Sequence, residues 1–303
     1  MRGYLRSLSC LVFTGAVVGG VLAAGPVTAA GAAAATGTAT CSGTPAAPGV
    51  LTGTFQSDVV VKGACEVNAG RAVVEGNLRL TPGSVLLAVF GLNDKTGTGT
   101  SSLTVHGDLG VGGGATLLLG CDPESFACLD DPNQNAPTLS SHGSIGGDLT
   151  SGMPLGVIVH NTSIGGDVTE SGGGGGVTCT PQGVFKLFQS PVFSVYDDTS
   201  VAGDVHVSGY RSCYLGLARL RVGGDMAVLS NKLADPDAIE ILANHIAGDL
   251  VCHGNSRTWN SAETGEHLFP RTPEPNTVAG DRAGQCVLSS PTKPGGPPGP
   301  GPF

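Results

Sequence analysis

A chain of 303 residues with a formal net charge of −9 lacks the basic surface that a nucleic acid or an anionic membrane would require of a partner. Charged residues are only 13% of it and aromatics 5%, while its 50 glycines follow no collagen period and stand among many Val, Ile and Leu. Such a composition excludes a collagen-like rod and a highly charged disordered chain, and leaves a globular protein of unusual make-up.

Residues 1–29 read as an export signal. Arg2 and Arg6 give the positive start, Leu8 to Ala24 is apolar or small throughout, and Val27-Thr28-Ala29 fits a cleavage site. No second long apolar run follows, so the mature chain is expected to be secreted and to carry no membrane span. The signal holds two arginines and no acid, so its removal takes the net charge from −9 to −11. Residues 30–40, rich in Ala, Gly and Thr, read as a flexible linker, and 41–288 as one folded unit.

Cys10 lies in the signal. The other eight cysteines are Cys41, Cys65, Cys121, Cys128, Cys179, Cys213, Cys252 and Cys286. An even set in an exported chain reads as a disulfide framework, of which sequence alone does not fix the connectivity. Pairing neighbours in order (Cys41–Cys65, Cys121–Cys128, Cys179–Cys213, Cys252–Cys286) keeps each loop short and is preferred. No C-x-x-C pair supports a metal site instead.

From residue 74 onward a five-residue pattern returns: an apolar residue, any residue, Gly, Asp or Asn, and usually a second apolar residue. The copies are Val74-Glu75-Gly76-Asn77-Leu78, Val105-His106-Gly107-Asp108-Leu109, Ile145-Gly146-Gly147-Asp148-Leu149, Ile164-Gly165-Gly166-Asp167-Val168, Val201-Ala202-Gly203-Asp204-Val205, Val222-Gly223-Gly224-Asp225-Met226, Ile246-Ala247-Gly248-Asp249-Leu250 and Val278-Ala279-Gly280-Asp281-Arg282. The Asp/Asn positions are 31, 40, 19, 37, 21, 24 and 32 residues apart. Three intervals cluster near 20, and 40 and 37 are close to twice that. The steps of 31 and 32 need an inserted loop or a degenerate copy.

A period of this size marks a repeat architecture. Alternating β-branched residues, as at Val201, Val205 and Val207, mean strands, and helices would lose about 1 kcal/mol at each glycine relative to alanine. The reading is an all-β, right-handed parallel β-helix (a β-solenoid) with irregular loop insertions, stabilised by disulfides. Asn77, Asp108, Asp148, Asp167, Asp204, Asp225, Asp249 and Asp281 then make the same corner of successive coils. Glycine is expected there for its left-handed freedom, and Asp or Asn for tolerating that conformation and bonding its own backbone. Asn161 and Asn244 precede two copies and are candidates for ladders of stacked amides.

Several stretches break the pattern. Residues 121–142 read as a side loop pinned by Cys121 and Cys128. Gly172 to Gly176 is no strand. Residues 235–243 fit a strand through Ile239 and Ile241, with a helix as the competing possibility. Asn255 to Asn276 is an excursion holding Trp259. Residues 289–303 form a Pro/Gly-rich tail expected to be disordered.

The last copies spell Ile246-x-Gly248-Asp249-Leu250-x-Cys252-x-x-Asn255 and Asn276-x-Val278-x-Gly280-Asp281-x-x-Gly284-Gln285-Cys286. This resembles the C-terminal end of a group of exported actinobacterial proteins of β-helical form, in which Asn usually follows the glycine where Asp249 and Asp281 stand here. The resemblance covers about 40 residues, implies that Cys252 and Cys286 pair to close the last coil, and brings no activity with it. The Gly-Asp step is similar, more loosely, to that of bactofilin β-helices, which are cytoplasmic and lack disulfides, unlike this chain.

Three kinds of chemistry suit such a scaffold. A polysaccharide lyase would use carboxylates such as Asp148, Asp167, Asp204 and Asp225 with calcium and a base among Arg211, Arg219 and Arg221. A glycoside hydrolase would need converging carboxylates, for which Asp197-Asp198 is the adjacent pair. A stack of aspartates suits Ca²⁺, although the nonapeptide calcium repeat is absent. No H-E-x-x-H and no G-x-S-x-G occurs. His106, His160, His206, His245 and His253 read as solvated strand-face residues, and Tyr210, Tyr214 and Trp259 are the aromatics available to stack on a sugar. The preferred reading is an exported, non-enzymatic β-solenoid, structural or surface-interacting, with no catalytic residue or cofactor assigned. Its partner would be a cell-wall or extracellular polysaccharide, or itself. The alternatives are a β-helical polysaccharide lyase or glycoside hydrolase, and a calcium-stabilised adhesin-like module.

Overall fold

The computed structural model describes residues 37–235, 239–260 and 275–287. The expected signal, most of the expected linker, the tail and most of the Trp259 excursion lie outside them.

The chain is a parallel β-helix. Each coil passes in turn through three ladders of short parallel strands, called here I, II and III. In ladder I the strands Leu109–Val111, Leu149–Gly152 and Val168–Ser171 stack with Leu109, Leu149 and Val168 in line. In ladder II, Thr116–Leu119 pairs with Gly156–His160. Among the described residues ladder III holds nine strands, including Gly143–Ile145, Thr162–Ile164 and Ser200–Val201. The first described strand, Ala39–Gly43, already belongs to ladder I, pairing with Val59 to Gly63.

The apolar residues flanking each Gly-Asp step explain the winding. Val105, Ile145, Ile164, Val201, Val222 and Ile246 point inward from ladder III, and Leu109, Leu149, Val168, Val205, Met226 and Leu250 from ladder I. All are at most 3% exposed. Burying side chains of this size contributes about 1.5–3 kcal/mol each. A slip by one residue would turn the set outward, so the core fixes the register.

The intervals of 40 and 37 are single coils and not doubled ones. Leu109 pairs directly with Leu149, and Val168 with Val205. The additional residues leave the solenoid between strands, as excursions through 121–142 and 172–192, and return without disturbing the ladder. Loop length is tolerated because closure entropy grows only slowly with it. Ile239–Leu242 is a strand of ladder II, paired with Tyr214–Ala218. Ile239 and Ile241 face the core.

The excursions roof ladder II. Its outward residues Leu118, Ile158, Phe193, Val195 and Tyr214 form a second apolar cluster with Val184, Phe185, Val192 and the disulfide Cys121–Cys128. Phe185 meets Phe193 edge to face at 5.5 Å between ring centres. Asp131 accepts backbone N–H bonds from Asn133, Thr138 and Leu139, which fold the 121–142 loop over the sheet. Burial pushes its carboxyl up, but these bonds together hold it below the ordinary value. The other disulfides join Cys41 to Cys65, Cys179 to Cys213 and Cys252 to Cys286. No helix among the described residues is long and apolar enough to cross a membrane.

Candidate functional site

The Gly-Asp corner is a relay between coils. The N–H of Asn77 donates to Oδ1 of Asp58 at 2.8 Å, Asp108 to Asn77 at 2.8 Å, and Asp148 to Asp108 at 2.9 Å. It continues through Asp167, Asp204, Asp225 and Asp249 to Asp281, each link 2.7–2.9 Å long. The carboxylate therefore bonds the backbone of the next coil and not its own. The glycines have a different reason from the one expected. None of Gly76, Gly107, Gly147, Gly166, Gly203, Gly224, Gly248 and Gly280 has a positive φ. A Cβ on any of them would meet the preceding coil's Asp or Asn Oδ1 at under 3.0 Å. Glycine is there for space.

Asp58 begins the column without a glycine. Ser57 stands in the glycine place, and the Ala39–Val59 pairing puts Thr38, not a carboxylate, at the preceding corner. Left-handed backbone is used at other corners instead. Asn161, Asp198, Arg219 and Ala243 close ladder II onto ladder III with φ of 44°, 46°, 53° and 55°. Amide ladders form at Asn244–Asn276 and Asn231–Asn255, where each first residue donates through Nδ2 to the other's Oδ1 at 2.9 and 3.1 Å. Asn161 instead donates weakly to Ser141 O at 3.3 Å.

The outward face of ladder III has no roof among the described residues. It forms an open groove of about 830 Å³ along six coils. One edge row is Ser144, Ser163, Ser200, Arg221, His245 and Thr277; the next is Gly146, Gly165, Ala202, Gly223, Ala247 and Ala279, most of which line the groove. The small second row keeps the floor flat. At about 4.8 Å per rung the groove runs for about 24 Å. The aspartate column lies beyond the far edge, four residues further along each rung.

A polar hollow of about 250 Å³ adjoins the groove, lined by Asp198, Thr199, Ser200, Arg219, Arg221, Ala243 and His245. Arg219 Nε donates to both carboxylate oxygens of Asp198 at 3.1 Å, and its terminal nitrogen pairs with the fully buried Asp197. His245 Nδ1 lies 2.7 Å from the Thr277 hydroxyl. Arg221 is exposed and has no side-chain partner among the described residues. The hollow thus offers hydrogen-bond donors and acceptors with their charges largely balanced, which suits a polar, hydroxyl-rich ligand.

Among the described residues, the candidate cleavage groups do not converge on one cleft. Asp197 and Asp198 do not face each other across a cleft: one is buried, and the other is held at the rim by Arg219. Arg219 and Arg221 line the hollow, whereas Arg211 sits on a strand paired with Lys232–Leu233, away from it. Asp148, Asp167, Asp204 and Asp225 stand one per rung in the corner relay. Among the described residues, the one trio of ligand-type side chains converging within 4.8 Å is Cys179, Cys213 and Asp235, and its two sulfurs are bonded to each other.

Two expectations about side chains need correction. His160 is not solvated: it is 3% exposed, stacked on Phe126 at 4.9 Å, and 3.7 Å from Asp197. Its outward direction from ladder II places it under the 121–142 loop. Tyr210, Tyr214 and Trp259 are buried as well, so none is presented to a sugar ring. Tyr210 faces the core, and Trp259 packs on Ala218 and Leu242.

The fold and groove together define a disulfide-stapled parallel β-helix in which the outer face of ladder III is left open among the described residues. Compared with known proteins, the chain matches no family model, and neither a curated protein nor a solved structure shows a significant similarity to it.

Proposed function

We propose that this chain is an exported β-solenoid that binds an extended polysaccharide of the cell wall or the medium along ladder III, without cleaving it. The open groove carries this reading: it is long and flat, has the hydroxyls of Ser144, Ser163, Ser200 and Thr277 along one edge of a mainly apolar floor, and has one anchoring hollow at Arg221 and His245. A straight groove of about 24 Å suits an extended polymer better than a globular partner. Four disulfides fit an oxidising compartment, and the N-terminal signal pattern supplies the route out of the cell. The balanced hollow and the single rim carboxylate favour holding over hydrolysis, which uses a pair of carboxyl groups.

Affinity electrophoresis of the secreted chain through gels containing soluble cell-wall and extracellular polysaccharides tests the proposal. Retardation by at least one glycan is expected, and the double variant Arg221→Ala/His245→Ala should lose at least tenfold in affinity. Release of reducing or unsaturated ends in proportion to added protein would replace binding by catalysis. No retardation by any glycan, or full retention by the double variant, would overturn it.

A further inference from the structure

One coil of the solenoid has a polar interior. Along ladder I the inward row reads Leu80, Val111, Ser151, Glu170, Val207, Val228 and Cys252. Along ladder II the corresponding rows, from the rung of Leu86 and Ala88 to that of Ile239 and Ile241, are apolar except at Ser194 and Tyr196, which belong to the same coil as Glu170. Glu170 is fully buried. Its Oε2 accepts from the Tyr196 hydroxyl at 2.6 Å and its Oε1 from the Ser194 hydroxyl at 2.8 Å. Ser194 Oγ in turn accepts the N–H of Val157 in the preceding coil at 3.0 Å.

The groups facing this carboxyl are hydroxyls: Ser194 and Tyr196 in its own coil, Ser151 below, and Tyr210, whose hydroxyl donates to Leu155 O at 3.0 Å. No Lys, Arg or His acts on it among the described residues. An ionised carboxylate enclosed in a hydrocarbon core without a cation is strongly disfavoured, and two hydroxyl donors offset that only in part. Burial pushes Glu170 up to about 7 from an ordinary value of 4.5, against the lowering effect of Tyr196 and Ser194.

We propose that Glu170, Ser194 and Tyr196 form a proton-operated latch inside the solenoid: protonated, it seals the coil spanning residues 168–201, and ionised, it loosens that coil. The folded chain then binds more protons than the unfolded one between pH 4.5 and about 7. Stability contributed by the latch is present at and below pH 4.5 and is lost as pH rises through that window. The same coil carries the 172–192 excursion of the roof and Asp198 and Ser200 at the groove, so the latch acts on both faces of the molecule. This inference is independent of the ligand proposed for the groove.

The test compares the full oxidised chain with Glu170→Gln, which keeps an acceptor for Tyr196 and cannot ionise. From pH 5 to pH 8 the unfolding constant of the wild type should rise on the order of 10²-fold more than that of the variant, measured by denaturant unfolding. Parallel pH profiles for the two would overturn the latch. Should the variant fail to fold, infrared spectroscopy of the wild type in D₂O decides the matter. A buried protonated carboxyl band must persist at pH 5.5 and vanish as pH passes 7. Its absence at pH 5.5 would show Glu170 already ionised and the proposal wrong.

Discussion

Ladders II and III are built from the same coils, yet one is buried on both faces and the other on one. Along Phe193–Asp197 and Tyr214–Ala218 every residue is buried, because loops inserted beside ladder II cover its outer side. Ladder III alternates buried and exposed residues, as at Thr162–Ile164, because no described loop crosses it. In a solenoid the core is generic and repeats with every rung. What distinguishes one face from another is the material placed between the strands: here the 121–142 excursion leads from ladder II to ladder III, and the 172–192 excursion from ladder I to ladder II.

The largest expected difference between the two faces lies in the roof. Phe185 is 2% exposed, packs on Phe193, and sits where a Cβ on Gly156 would collide with its ring. Phe185→Ala should cost about 3–5 kcal/mol, read from denaturant midpoints. A cost below 1 kcal/mol would mean that the excursion merely rests on ladder II. The corner relay, common to all coils, comes next. Gly203→Ala drives a methyl into Asp167 Oδ1 and should cost about 1–3 kcal/mol. Gly37→Ala, where nothing lies within 4 Å, is the control and should cost far less. Equal costs at both positions would remove the spatial explanation of the motif.

The solenoid itself was legible because stacking imposes a repeat, and alternation of Val, Ile and Leu betrays strands. Glu170 was also within reach: in Val168-Thr169-Glu170 the alternation that turns Val168 inward turns Glu170 inward too, as it does Val205 and Val207 one coil later. Asp58 escaped the motif because Ser57 stands where glycine does in every later copy, though its distance of 19 residues from Asn77 matches the period. The roof was not legible, since inserted loops obey no period and their partners lie far along the chain. The left-handed corners were half legible. Asn161 and Asp198 are residue types that tolerate φ near 45°, whereas Arg219 and Ala243 give no such sign and are held by their neighbours. The groove left the faintest trace, because it consists of small residues that sequence reading assigns to turns.

The smallest expected effect on stability is the one that best separates the two faces. Ala202 is exposed on the groove floor, between the Ser200 row and the aspartate column. Its side chain points away from the core, so Ala202→Trp should change stability by no more than about 0.5 kcal/mol, as surface substitutions do. The indole would nevertheless stand in the middle of the groove and obstruct any polymer lying across six rungs. Retention in the affinity gel should fall to background while the melting curve stays in place. If the variant bound as the wild type does, the ligand would lie elsewhere, and the bare face of ladder III would be only the side that the loops leave uncovered. A large loss of stability would instead mean that this face packs against another part of the chain. The contrast with the roofed ladder would then be one of which segment covers each sheet.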